Sequence, residues 1–204
     1  MSTTIDDLDN LRELFGTPGE LAVACMKERM DKYHQRFIEL SPFVCMATSG
    51  EDQQPFVSPR GDRPGFVKTL DEHTLIIPDR RGNNKVESFT NIVTNPKVSL
   101  IFFVPGLPET LRVLGTASIS TNPELLAFGQ DDRSEPKAVT RIDITTIYFH
   151  CGKAIVRSNL WEDSSKANRK DFPSFGKVIK EQAKLDASTE DTEAHIDDMY
   201  QNQL

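Results

Sequence analysis

Between Phe43 and His150 the apolar residues come in short runs separated by turn residues, the texture of strands rather than of long helices. Phe43–Thr48 is apolar, Ser49-Gly50-Glu51-Asp52 is a turn, and Gln54–Ser58 is a second strand. Ser58 to Gly65, rich in Pro and Gly, reads as a bend holding Arg60 and Arg63. Phe66–Leu70 and Thr74–Ile77 read as a hairpin around Asp71-Glu72-His73, with Leu75-Ile76-Ile77 a buried strand stopped by Pro78. Lys97–Val104 predicts a strand buried on both faces. Glu109–Ser120 alternates: Leu111, Val113, Gly115, Ala117 and Ile119 point one way, Arg112, Leu114, Thr116 and Ser118 the other. Along Ala138–His150 the apolar row Ile142, Ile144 changes phase to Ile147, Phe149 across Thr145-Thr146, as a β-bulge requires. Strands at this spacing predict a barrel or a sandwich.

Helical periodicity frames this region. Asp6–Phe15 sets Leu8, Leu11, Leu14 and Phe15 on one face, and Glu20–Phe37 predicts a second helix with His34 on its exposed, charged side. Val86, Phe89 and Val93, with Ile92, form the apolar stripe of a short helix N-capped by Asn83 or Asn84 and stopped by Asn95-Pro96. Asn122 caps another that has Pro123 at its first position, and Asp131–Pro136 reads as an exposed loop. Cys151–Trp161 predicts a helix with Lys153 and Arg157 at i, i+4, and Lys177–Leu185 one more. Asp186–Leu204 is acidic and poor in large apolar groups, the pattern of a mobile or partner-docked tail. The expected division is a helical extension over 1–40, a β domain over 41–162, and a helix with an acidic tail over 163–204.

The polar segment between Pro78 and Val86 carries the chemistry. A helix start has unpaired N–H groups and partial positive charge, and Arg80, Arg81 and Lys85 stand within a turn of one. Arginine grips two phosphate oxygens and lysine acts as a point charge, so the arrangement offers an anion site. By itself the segment reads slightly better as a solvated basic turn before an ordinary helix.

Several ordered motifs favour the first reading. Ser58-Pro59-Arg60-Gly61-Asp62, Pro64-Gly65-Phe66-Val67, Ile77-Pro78-Asp79-Arg80, Asn84-Lys85, Asn95-Pro96-Lys97-Val98-Ser99-Leu100-Ile101-Phe102 and Glu109-Thr110-Leu111-Arg112-Val113 follow one another, then His150-Cys151-Gly152-Lys153-Ala154, Arg157-Ser158 and Leu160-Trp161. Over residues 40 to 162 this order resembles the pyridoxamine 5′-phosphate oxidase-like family of FMN-binding split barrels, and within it a bacterial branch of unassigned activity. The resemblance implies a mainly β, Greek-key split barrel with flanking helices, working as a homodimer with FMN between the subunits. It implies that Arg60, Arg80, Asn84 and Lys85 hold the phosphate, and that Phe66, Val67, Pro78 and Asp79 line the ring and ribityl chain. Arg112, Lys153, Arg157 and Trp161 then lie near the interface or the substrate side. Two departures matter. Asn84-Lys85 replaces the oxidase's Arg-Lys pair, so a further phosphate cation comes from Arg60 or Arg80, and the oxidase's carboxyl-terminal Arg-Leu-His-type segment is not visible. The cofactor and fold are carried over, the vitamin B6 substrate is not. The implied activity is that of an FMN-dependent oxidoreductase of unknown substrate. A flavin-binding or flavin-sensing module without turnover and a relative using heme or a deazaflavin are the alternatives.

Composition narrows the partners. The 204 residues carry a net charge of −7 and a pI near 5.2, which disfavours nucleic acid and suits a local basic pocket for a small phosphorylated ligand. Three scattered cysteines support neither a disulfide framework nor a zinc ribbon, and four scattered histidines no metal site. An acidic, polar start and the lack of a long apolar run suggest a cytoplasmic protein with no membrane partner. No GxSxG, HExxH, GxGxxG or GxxxxGK[ST] occurs, and no residue identifies itself as a catalytic acid, base or nucleophile.

Overall fold

A computed structural model describes residues 4–80, 82, 84–132 and 135–202. Seven antiparallel strands form one sheet: β1 (Phe43–Ser49), β2 (Pro55–Gly61), β3 (Lys68–Thr69), β4 (Thr74–Pro78), β5 (Lys97–Phe103), β6 (Thr110–Ser120) and β7 (Val139–His150). Their order is β2-β1-β5-β6-β7-β4-β3. A central meander, β5–β6–β7, is thus flanked by the β1–β2 hairpin against β5 and the β3–β4 hairpin against β7. The sheet curls around an apolar core that includes Val44, Met46, Leu75, Leu100, Phe102, Val113 and Ile142, and this is the split β-barrel.

Alternation makes these strands. Odd-numbered positions from Leu111 to Ala117 on β6 are buried while Arg112, Leu114, Thr116 and Ser118 face out. β5 is not buried on both faces as its composition suggested: Val98, Leu100 and Phe102 are buried, and Ser99, Ile101 and Phe103 only half so. The bulge falls where the phase changes. Leu114 pairs with Thr146 and Gly115 with Ile144, so Thr145 is the extra residue, its hydroxyl donating to the Leu114 carbonyl at 3.1 Å. The approach at this kink is close: a Cβ on Gly115 would lie 2.4 Å from the Asp143 carbonyl oxygen. β2 runs on to Gly61 where a bend was expected. Pro59 has no N–H to donate, but β2 is an edge strand and tolerates that.

The helical extension differs from its expected form. α1 (Leu8–Phe15) buries none of its residues, α2 is only Glu20–Ala24, and α3 spans Lys32–Leu40. The predicted Glu20–Phe37 helix is broken because β4 pairs with β7 only as far as Asp143, leaving the rest of that edge of β7 open. Lys27 fills it, exchanging both backbone hydrogen bonds with Ile147 at 2.9 and 2.7 Å, and the Met30 N–H donates to Glu72. His34 is therefore not an exposed helix position. It is 4% exposed, accepts the Asp31 N–H on Nδ1 at 3.1 Å, and stacks on Phe149 with ring centroids 5.1 Å apart.

α4 (Glu87–Thr94) ends at Asn95 as expected, but Val86 occupies its N-cap position in the left-handed region (φ 47°) with no side-chain cap. Asn84 is therefore not the cap, and Asn83 lies outside the described residues. The face that packs inward carries Ser88 and Ile92, while Val86 and Val93 are exposed. α5 (Pro123–Gly129) has the expected Asn122 cap, at 2.8 Å to the Glu124 N–H. α6 is Lys153–Ser158, closed by left-handed Asn159, so Trp161 lies beyond it. The acidic tail is helical: α8 (Thr189–Asn202) packs on α7 (Phe175–Ala183), burying Thr192 and Ile196, and Gly176 permits contact with Glu193.

Candidate functional site

The end of β2, the end of β4 and the start of α4 surround a cleft of about 470 Å³. β2 carries Arg60 at its edge, paired in register with Val44 of β1. β4 is buried along its whole length, and its last residue, Pro78, delivers Asp79 and Arg80 to the cleft wall. The Asp79 N–H donates to Ala138 at 2.9 Å, which fixes where the carboxylate projects. Left-handed Asn84 and Val86 then turn the chain into α4, and Lys85 lines the cleft between them.

Arg60 is the central charge. Its Nη2 donates to the Ser88 hydroxyl at 3.1 Å, and its guanidinium lies 5.7 Å from the centroid of the Phe89 ring. Its Nε is buried and has no acceptor. Burial pushes the guanidinium below its ordinary pKa, with Asp79 opposing. Burial likewise pushes the Asp79 carboxyl up, with Arg60, Lys137 and Arg80 opposing. A cation and a carboxylate are thus both held partly out of water in one cleft, an arrangement that favours a polar ligand able to satisfy them.

Arg80 is held differently. Its Nε donates to Asp62 at 2.7 Å and its Nη2 to Asp131 at 2.9 Å, while its Nη1 is buried without a partner. Arg63 meets Asp132 alongside at 2.9 Å, in a far more exposed pair.

Of the residues expected in the site, the cleft collects Arg60, Phe66, Pro78, Asp79, Arg80, Asn84 and Lys85. Val67 is 3% exposed in the core. Lys153 and Arg157 line a second, open hollow of about 480 Å³ with Pro108, Glu109, Gly152 and Val156. The Trp161 indole donates to the Leu107 carbonyl at 2.8 Å, and Arg112 stands on the outer face of β6 between Ile101 and Tyr148. One chain therefore does not bring these four into the cleft. Arg81 lies outside the described residues.

Sequence reasoning missed Ser88, 2% exposed and bonded to Arg60. Its i, i+4 spacing to Ile92 was the available signal, hidden by the more apolar Val86, Phe89 and Val93. It also missed Asp62 and Asp131 as partners of Arg80. Among the described residues no group of three His, Cys, Asp or Glu could hold a metal ion.

The family model for pyridoxamine 5′-phosphate oxidase matches residues 30–151, more than half of the chain. The chain belongs to the pyridoxamine 5′-phosphate oxidase family. The matched span starts at Met30, just before α3, and ends just past β7, so every strand and the whole cleft lie in the part shared with the oxidase family. No curated protein matches the chain. Among solved structures, HupZ of Group A Streptococcus is 22% identical and covers 59% of this chain and 93% of its own, with a TM-score of 0.50. A putative pyridoxamine 5′-phosphate oxidase from Lactobacillus delbrueckii is 22% identical, covering 60% of this chain and 95% of its own, at a TM-score of 0.48. An FMN-binding protein from Syntrophomonas wolfei is 10% identical, covering 69% and 95%, at 0.45. At these identities the likeness is one of fold. No described helix is long and apolar enough to cross a membrane.

Proposed function

We propose that the cleft binds FMN, with the phosphate between Arg60, Lys85 and the first turn of α4, and that the protein is an FMN-dependent oxidoreductase. The observation that carries this is Arg60: a buried guanidinium short of an acceptor, fastened through Ser88 to the start of a helix, in a cleft also lined by Lys85. A phosphate supplies the missing acceptors, and the first N–H groups of α4 add donors and a favourable dipole. Phe66, Pro78 and Asp79 would then flank the ribityl chain and ring. Membership of the oxidase family makes flavin mononucleotide the fitting phosphate ester.

Bound there, the flavin would supply electron and hydride transfer to and from a substrate. The chain's own part is to bind the phosphate, orient the ring and exclude water. Arg112, Lys153, Arg157 and Trp161 fall outside the cleft of one chain, and Val57, Val86 and Val93 are 60%, 54% and 79% exposed along β2 and α4. A homodimer that covers these valines and brings the second hollow toward the partner's cleft accounts for both features.

Adding FMN to flavin-free protein tests the reading. Quenched, red-shifted flavin absorbance at one equivalent per chain supports it, and bleaching by NAD(P)H or a substrate separates an oxidoreductase from a binding module. A spectrum requiring heme or a deazaflavin would overturn the cofactor assignment. Light scattering over a dilution series tests the dimer, and a stable FMN-loaded monomer excludes a shared site.

A further inference from the structure

We propose that Arg80 is a positioning residue, the latch that holds one wall of the cleft together, and not a ligand of the phosphate. The inference rests on the flavin reading above and refines it. Asp62 belongs to the turn after β2, Arg80 follows β4, and Asp131 belongs to the connection between α5 and β7. These three segments are far apart in sequence, and the Arg80 guanidinium joins them: Nε to Asp62 at 2.7 Å, Nη2 to Asp131 at 2.9 Å.

Burial separates this cluster from ordinary surface pairs. The Arg80 side chain is 23% exposed, Asp62 6% and Asp131 23%, whereas the neighbouring Arg63 and Asp132 are 64% and 71% exposed. A pair shielded in this way is costly to break, because water replaces its charged hydrogen bonds poorly. The exposed neighbour adds little. Two carboxylates already outweigh the Arg80 charge, so it offers an incoming dianion far less attraction than Arg60 does. The one guanidinium nitrogen left for a phosphate is Nη1, and an anion there would stand beside both carboxylates.

The two roles predict opposite signs for one substitution. If Arg80 latches the wall, Asp131→Asn weakens the wall and lowers affinity for FMN and riboflavin alike, by about tenfold, or about 1.4 kcal/mol. If Arg80 is instead a phosphate ligand restrained by Asp131, the same change frees it and tightens FMN selectively. Arg80→Lys keeps the charge but cannot span both carboxylates. The latch requires it to behave like Asp131→Asn, and the combined variant to be no worse than either alone.

The experiment is fluorescence titration of both flavins into wild type, Asp131→Asn, Arg80→Lys and the double variant. Amide hydrogen exchange around Asp62 and Asp131 is followed in the flavin-free proteins. Equal losses for the two flavins, with faster exchange in both loops, support the latch. A selective loss of FMN in Arg80→Lys, or tighter FMN binding by Asp131→Asn, overturns it. Should wild type bind neither flavin, the functional reading fails and hydrogen exchange still decides the latch: unchanged protection in both loops refutes it.

Discussion

Replacing Arg60 by alanine isolates the phosphate term. Among the described residues the side chain makes one hydrogen bond, to Ser88, leaves its Nε without a protein acceptor, and lies over Phe89. Removing it forfeits that bond and some packing but also relieves a desolvated charge, so folding stability should fall by no more than about 1.5 kcal/mol. Binding should respond more strongly. A charge-assisted hydrogen bond to a buried anion contributes about 1.5–3 kcal/mol, which is about ten- to a hundredfold in the dissociation constant. Riboflavin has the same ring and ribityl chain without the phosphate, so its affinity should change by less than about threefold, the residue of small shifts in Phe89 and Ser88. Arg60→Lys should recover part of the FMN loss, since it restores a point charge but not the planar fork. The assay is quenching of flavin fluorescence on titration with each variant, beside urea unfolding to confirm the fold. Equal losses for FMN and riboflavin would show that Arg60 supports the ring or the scaffold. Unchanged FMN affinity would refute the phosphate site.

Three further outcomes follow from the scaffold. Burial lowers the His34 pKa against the opposing pull of Asp31, so the folded state binds the proton less readily than the unfolded chain; stability is full above the ordinary value of about 6.5 and is lost as pH falls through the lower, folded one. Urea midpoints between pH 7.5 and 5 should show this slope, and His34→Gln should flatten it; an unchanged slope rejects the assignment to His34. Gly115→Val should destabilise by about 1–3 kcal/mol or more, because its Cβ would stand 2.4 Å from a backbone oxygen at the bulge, and a loss below about 0.5 kcal/mol in the same unfolding assay contradicts the close approach. Gly176→Leu should part α7 from α8, where a Cβ would meet Glu193 Cγ at 2.5 Å, with loss of helical circular dichroism but FMN affinity kept; a matching fall in FMN affinity would tie the hairpin to the cleft.

The strands were legible because alternation is a local property: a residue on β6 faces in or out by its position in the pleat, and Leu111 to Ala117 obey it. The bulge was legible for the same reason, since one extra residue, Thr145, inverts the phase of everything after it. The N-terminal segment was not. Nothing within Glu20–Phe37 says that β4 stops pairing with β7 at Asp143, and that open edge takes Lys27 out of the helix. Asp31 and His34 did carry a signal, a capping pair three residues apart that starts α3, but a continuous helical period concealed it.

The cleft was legible to the extent that it is built from neighbours in sequence. Pro78, Asp79, Arg80, Asn84 and Lys85 were found because β4, one turn and α4 follow directly, and Arg60 entered through a motif rather than through any pattern in β2. What the sequence could not supply was the pairing between distant loops. Asp62 and Asp131 look like solvated turn residues until folding places both on one guanidinium, and only then does Arg80 cease to be a free cation. The phase of α4 fails in the same way: Val86, Phe89 and Val93 have the right period, but Ser88 and Ile92 are the residues that meet the sheet. A polar Ser88 on the inward face is satisfied only because β2 brings Arg60 to it. A charge and its hydroxyl partner, 28 residues apart, thus join the inward face of the helix to the wall of the cleft.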